Sequence, residues 1–305
     1  MTRFAAGIVV AMLMTSACQH TVRRADHPAT VVTPTSQAAS ADASALPLPD
    51  DNLNAVAWTQ TAVERDLIYR QAYRNAGEEL AQALADSTWE ALPQGERKVP
   101  VTDPGRTAVI LDIDETVLDN SPYQARLVVN GERFNEVTWA AWCHEEKARA
   151  IPGALAFTRL AASKGVTVFY LSNRASDLGT ATLENLRKLD FPIAADEQVF
   201  LGLGTIVPGC EQNGSEKGCR RELISRKYRV LMQIGDQLGD FVDVLANTPQ
   251  GREQAVAPYL DWIGQRWFVL PNPTYGSWEP ALFNNDWTQS PADRRRAKEA
   301  ALRTD

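Results

Sequence analysis

The sequence predicts an α/β fold: a parallel sheet flanked by helices, with a long helix in front and a small cap inserted. Three observations carry that prediction. Short apolar runs recur at Ala108–Leu111, Val166–Leu171, Val199–Leu201, Val230–Ile234 and Trp267–Leu270, each the length of a buried strand. Helical stretches fall between and after them, within Gly153–Lys164, Asp177–Leu189, Arg221–Lys227, Leu238–Ala246 and Arg252–Ile263. Such alternation builds a parallel sheet. A chain of 305 residues that is 44% apolar and 23% charged also has the material for one large or two smaller soluble domains.

The elements follow in order. Arg3 and the apolar run Phe4–Met14 form a targeting segment too short to span a bilayer comfortably. The "TSAC" that follows resembles the bacterial lipobox, with Thr15 where that pattern favours Leu. The resemblance implies a signal peptide over residues 1–17, a lipid on Cys18, and a lipoprotein of the cell envelope. Gln19 after the cysteine implies the outer membrane of a Gram-negative bacterium. The alternative is a periplasmic protein cut nearby. Residues 18–50, rich in Ala, Thr, Ser and Pro, cannot bury a core and read as a flexible tether. Residues 51–290 are the folded domain. It begins with one amphipathic helix over Asn54–Leu84, patterned by Val56, Val63, Leu67, Ala76, Leu80 and Leu84. The aromatic-rich Asn130–Ala150 interrupts the alternation and defines a cap insertion at about 122–152. Residues 291–305 are a charged tail.

The net charge of −7 argues against a nucleic-acid polymer as partner, and the short Arg294–Arg296 run reads as a solvated helix face. With Cys18 lipidated, Cys210 and Cys219 flank a Gly-containing stretch that a disulfide could close, and Cys143 reads as a buried thiol. No C-x-x-C is present to suggest structural zinc.

The chemistry is concentrated at strand ends. "AVILDIDETVLDNS" (Ala108–Ser121) puts Asp112 and Asp114 directly after a buried strand. A buried strand is a costly place for carboxylates unless something compensates them. Ligands bind at the carboxyl ends of the strands in parallel sheets, so both acids belong to the mouth of a site. An EF-hand loop is excluded because Val117 stands where its glycine must be. A metal-dependent D-x-D glycosyltransferase and an aspartate-nucleophile phosphatase remain. Other predicted strand ends favour the phosphatase. Ser172 closes "VFYLSNR" with Asn173 and Arg174 beside it, Lys217 precedes a strand, and "VLMQIGDQLGDF" carries Asp236 and Asp240. Together they supply an attacking oxygen, an acid, cationic and hydroxyl clamps, and carboxylates for a hard divalent cation. Arg220 and Arg221 are alternative cations to Lys217.

"DIDET", Ser172, Lys217 and "GDQLGD" resemble the four motifs of the haloacid-dehalogenase (HAD) superfamily. "AVAWTQTAVE", "DETVLDNSPYQ", "WAAW", "IPGALAF", "FYLSNR", "GDQLGDF" and "LPNPTYGSWE" narrow the resemblance to the class C acid phosphatases, bacterial lipoproteins that also act as 5′-nucleotidases. The resemblance implies a Rossmann-like core and a Mg2+-dependent hydrolysis of phosphomonoesters, nucleoside 5′-monophosphates included. Asp112 would be the nucleophile that forms an aspartyl-phosphate, and Asp114 the general acid and base. Mg2+ would be held by Asp112, Asp236 and the backbone carbonyl of Asp114. Ser172 and Lys217 would bind the phosphoryl oxygens, Asp240 would support the metal and Lys217, and Asn173 and Arg174 would brace the loop. Tyr275, Trp139 and Trp142 would stack on the substrate; packing of the cap is the alternative for the tryptophans. An acidic pH optimum follows if burial and neighbouring carboxylates keep Asp114 protonated. A non-catalytic ligand-binding lipoprotein would have no need of Asp112 or Asp114, and both are present.

Overall fold

A computed structural model describes residues 51–97, 105–212 and 214–304. The targeting segment, Cys18 and the tether lie outside the described residues. The chain lays down strands β1 (Thr107–Leu111), β2 (Leu118–Asp119), β3 (Arg149–Ala150), β4 (Thr167–Ala175), β5 (Phe200–Leu203), β6 (Arg229–Gly235) and β7 (Trp267–Val269). Its helices are α1 (Leu53–Thr61), α2 (Val63–Ala85), α3 (Ser121–Asn130), α4 (Glu136–Glu145), α5 (Ala154–Ser163), α6 (Gly179–Lys188), α7 (Gly218–Ser225), α8 (Pro249–Val256) and α9 (Pro291–Ala300).

Five strands pair in the order β5-β4-β1-β6-β7, all parallel, and helices flank them. Every residue of β1 is buried, as expected of a central parallel strand covered on both faces. The register aligns Leu111 with Tyr170 and with Ile234. The residues that follow the three central strands therefore emerge at one edge: Asp112 after β1, Ser172 near the end of β4, and Asp236 after β6.

The front of the domain departs from expectation. Ala62 is extended (φ −77°, ψ 123°) and splits the expected single helix into α1 and α2. The break changes which face is covered. Val63 and Leu67 are exposed, while Tyr69, Tyr73, Ala76, Leu80 and Ala83 form the buried stripe. The two tyrosines keep their hydroxyls paired, Tyr69 with the carbonyl of Pro271 and Tyr73 with that of Thr116.

Two later helices are also shorter than predicted. The stretch Leu238–Ala246 holds a single 3₁₀ turn, Leu238–Asp240. There the Asp240 carboxylate accepts from the backbone N–H of Gln237, and the Gln237 side chain completes a capping box. The stretch Arg252–Ile263 becomes the end of α8 followed by a 3₁₀ segment, Ala257–Trp262, in which Pro258 lacks the N–H a helix requires.

The insertion expected as a cap contains α4 and most of α3, and ends in β3, which pairs antiparallel with β2. The charged tail is largely helical. Arg294 of α9 lies over the rings of Phe283 and Trp287, while Arg295 and Arg296 pair with exposed acids. Cys210 and Cys219 form a disulfide, and Cys143 is a buried thiol. None of the described helices is long and apolar enough to cross a membrane.

Candidate active site

Asp112 leaves β1 with its N–H still bonded to the carbonyl of Ile234, so the central sheet itself fixes its backbone. Its carboxylate is 7% exposed and meets the Lys217 ammonium at 2.5 Å. Lys217 stands at the N-terminus of α7 and uses its remaining hydrogens on Asp240 at 2.7 Å and the Leu171 carbonyl at 2.8 Å. Burial works against the Lys217 charge, but Asp112 and Asp240 outweigh it and hold the ammonium above its usual range. Burial pushes Asp112 up; Lys217 opposes that, and Asp240, Asp236 and Asp114 add to it.

Asp236 follows β6. It accepts from Gln237 Nε2 at 2.7 Å, Asn272 Nδ2 at 2.9 Å and Thr116 Oγ1 at 3.3 Å. Burial and the neighbouring Asp240 push it up to about 7. One oxygen from each of Asp112, Asp236 and Asp240 lies within 4.8 Å of the others. An oxygen-only group of this charge fits a hard divalent cation. Gly235 permits the arrangement: a Cβ there would stand 2.3 Å from an Asp240 carboxylate oxygen.

Asp114 is in different company. The side chains that hydrogen-bond to it are donors. Arg174 reaches it through Nε at 2.9 Å and through the terminal guanidinium at 2.8 Å. Asn120 Nδ2 lies at 2.8 Å and Ser172 Oγ at 3.2 Å. Arg174 is therefore more than a loop brace. It is buried, holds Asp114, and sits 5.3 Å from the centre of the Trp139 ring. Asn173 does brace, accepting from Arg220 at 2.7 Å.

The alternative cations point elsewhere. Arg220 donates to the carbonyls of Ser172 and Glu216, and Arg221 to Glu96, Asp243 and the carbonyls of Gly239 and Asp240. Lys217 alone of the three contacts Asp112.

Of the expected stacking rings, Trp142 is a correction. It is 3% exposed, its indole N–H donates to Asn120, and Arg126 lies over its ring, so it presents no face to a substrate. Trp139 is half-buried and packs edge-on against Tyr123. Tyr275 is half-buried in the loop after β7, with its hydroxyl on Glu115.

The grouping of strand-end carboxylates with a lysine and a serine coincides with the comparisons. Residues 29–278 match the family described as HAD superfamily, subfamily IIIB (acid phosphatase). The chain belongs to that family. Its fold is similar to the class C acid phosphatase from Bacillus anthracis, with a TM-score of 0.71 at 32% identity over 83% of this chain and 97% of that one. The structure of that enzyme with tungstate bound gives 0.72 at 32% identity, covering 85% and 99%. Plant proteins are similar over a shorter stretch. The stem 31 kDa glycoprotein of Glycine max is 30% identical over 54% of this chain and 58% of its own length. Acid phosphatase 1 of Solanum lycopersicum is 26% identical over 59% and 62%. The chain thus spans less than two thirds of these plant relatives.

Within this acid phosphatase family member, Asn120 and Glu115 join the site without having been expected there. Asn120 is fully buried and serves Asp114, Arg174 and Trp142 at once. Both lie inside the "DETVLDNS" block, and the signal for them is the density of polar residues so soon after a buried strand.

Proposed function

We propose that this chain hydrolyses phosphomonoesters through an aspartyl-phosphate on Asp112. The observation that carries the reading is the convergence of Asp112, Lys217, Ser172 and the Asp236–Asp240 pair at one edge of the sheet. Asp112 attacks phosphorus, and the bond to the leaving oxygen breaks. Lys217 and Ser172 donate to the phosphoryl oxygens, stabilising the charge spread over them in the transition state. Asp114 passes a proton to the leaving oxygen and takes one from the water that releases phosphate. Arg174, Asn120 and Ser172 hold its carboxyl in place for both tasks. A phosphomonoester carries a proton of its own below its second ionisation near ~6. An acidic optimum is consistent with that supply. Mg2+, held by Asp112, Asp236 and Asp240 or the Asp114 carbonyl, would neutralise charge in the aspartate cluster and on the phosphoryl group. The tungstate in the Bacillus anthracis enzyme, a tetrahedral oxyanion of phosphate shape, supports the same ligand class.

Aryl phosphates and nucleoside 5′-monophosphates are the proposed substrates, because Tyr275 and Trp139 are the rings near the mouth of the site. Stacking tolerates any base and contributes roughly 1–3 kcal/mol. We also propose that Cys18 carries a lipid anchoring the domain to the outer membrane; Cys18→Ala should move the protein to the soluble fraction with its activity intact. The function is tested by turnover of an aryl phosphate with and without Mg2+, together with trapping of acid-stable phosphate on Asp112. Full activity after exhaustive chelation overturns the metal assignment. Turnover by an undeamidated Asp112→Asn overturns the nucleophile.

A further inference from the structure

Glu115 lies between the proposed acid and the rest of the motif, yet the proposed reaction does not use it. It is 1% exposed and has φ +58°, a left-handed conformation that side-chain-bearing residues seldom adopt. Its N–H is held by the Leu118 carbonyl at 2.9 Å, and Oε1 accepts from the N–H of Asn120 at 2.7 Å. Its other oxygen, Oε2, accepts from the hydroxyl of Tyr275, 160 residues away.

Tyr275 is thereby tied at both ends. Its carbonyl accepts from Gln237 Nε2 at 3.3 Å, and its N–H donates to Asn272 Oδ1 at 3.4 Å. Gln237 and Asn272 are two of the three side chains that donate to Asp236. The backbone of the ring is thus referenced to Asp236, and its hydroxyl to the residue following Asp114. A stacking ring selects a leaving group only if its plane is fixed relative to the reacting phosphorus.

We propose that Glu115 is a positioning residue for leaving-group selection, its buried carboxyl fixing the Tyr275 ring at the mouth of the site. The inference rests on the reading of Tyr275 as a stacking ring. It gives the left-handed turn a purpose. The strained backbone aims a side chain that glycine, the residue best suited to such a turn, does not have.

The experiment measures KM and kcat for a nucleoside 5′-monophosphate and for glycerol phosphate, and reads the ratio of the two KM values. Tyr275→Phe keeps the ring and removes the anchor. It should raise the ratio roughly fivefold, the scale of one buried hydrogen bond. Glu115→Ala should raise it similarly. Glu115→Gln can donate to the Tyr275 oxygen while accepting from Asn120, so it should restore most of the selectivity. Combining Tyr275→Phe with Glu115→Ala should add little to either alone, because both cut one link. Tyr275→Ala separates the two readings. If it raises the ratio while Tyr275→Phe does not, the ring stacks but needs no anchor, and the inference is overturned. If Tyr275→Ala leaves the ratio unchanged, the stacking reading itself fails and takes the inference with it. Should Glu115→Ala fail to fold, Tyr275→Phe alone still decides.

Discussion

Two buried clusters of charge adjoin in this molecule, and they are balanced differently. At the mouth of the site lie Asp112, Asp114, Asp236 and Asp240, with Glu115 beside them; Lys217 pairs with Asp112 and Asp240, and Arg174 with Asp114. Behind it, Arg220 and Arg221 lie with two carboxylates, Glu96 and Asp243, and with backbone carbonyls. The clusters touch where Arg221 holds the Asp240 carbonyl at 3.1 Å. The front cluster holds more carboxylates than cations, whereas the rear cluster is matched by the chain itself. The lesson is a division of labour. Unmet charge marks the place where a ligand completes the protein, and met charge marks a brace.

Breaking the front cluster should cost catalysis and not the fold. Asp112→Asn, a near isostere, should lower kcat by at least about 10⁴-fold, as loss of a nucleophile does elsewhere. Its circular dichroism and unfolding midpoint should stay close to the parent's. A folded variant with a tenth of the activity would show that Asp112 is not the attacking group.

Breaking the rear cluster should do the reverse. Arg221→Met strands Glu96 and Asp243 without their shared partner, a loss of about 3–5 kcal/mol for a buried pair broken on one side. Urea unfolding measures it, and a change below about 1 kcal/mol would show that the brace is dispensable. The disulfide beside Lys217 acts on the same helix more gently. Replacing Cys210 and Cys219 together by serine should lower stability by roughly 2–3 kcal/mol, the value expected of a loop this short.

A slope with pH, small for each unit, sharpens the contrast. Asp236, pushed up to about 7 from 3.8, binds its proton more tightly folded than unfolded. Chelated protein should therefore lose stability as pH rises from about 4 to about 7, by at most about 1.4 kcal/mol per pH unit from this group. Glu90, pushed up to about 7 by its burial well away from the site, adds a slope of the same sign. Mg2+ should flatten the contribution of Asp236 and leave that of Glu90. Unfolding midpoints at several pH values, with Asp236→Asn and Glu90→Gln as controls, separate them. Equal flattening of both would mean that the metal acts through general stabilisation of the fold.

Much of this is legible in the sequence because it is local. A buried strand ending in an acid or a hydroxyl is written in consecutive residues, so Asp112, Ser172 and Asp236 are assigned to strand ends by their immediate neighbours alone. What is not legible depends on distant partners. Nothing near Ala62 announces that the helix breaks there. Asp240 holds Lys217, 23 residues earlier, while its carboxylate also turns back to the Gln237 N–H. Trp142 and Trp139 are three residues apart on α4, yet Asn120 draws the first into the core. Arg174 reads as a brace in the sequence because its partner, Asp114, lies 60 residues earlier.

The sheet order also has a kinetic consequence. The site straddles β4, β1 and β6, which are neighbours in space and far apart along the chain, with Lys217 and Asp112 separated by 105 residues. Closing loops of that length precedes any reward from the contacts they permit, so such pairings form slowly. No nascent fragment that stops before β6 holds Asp236, and the contact of Lys217 with Asp112 waits on a closure of 105 residues. Catalysis is therefore a readout of completed topology. During refolding, phosphatase activity should return with the slowest phase, after helical signal and tryptophan burial have largely recovered.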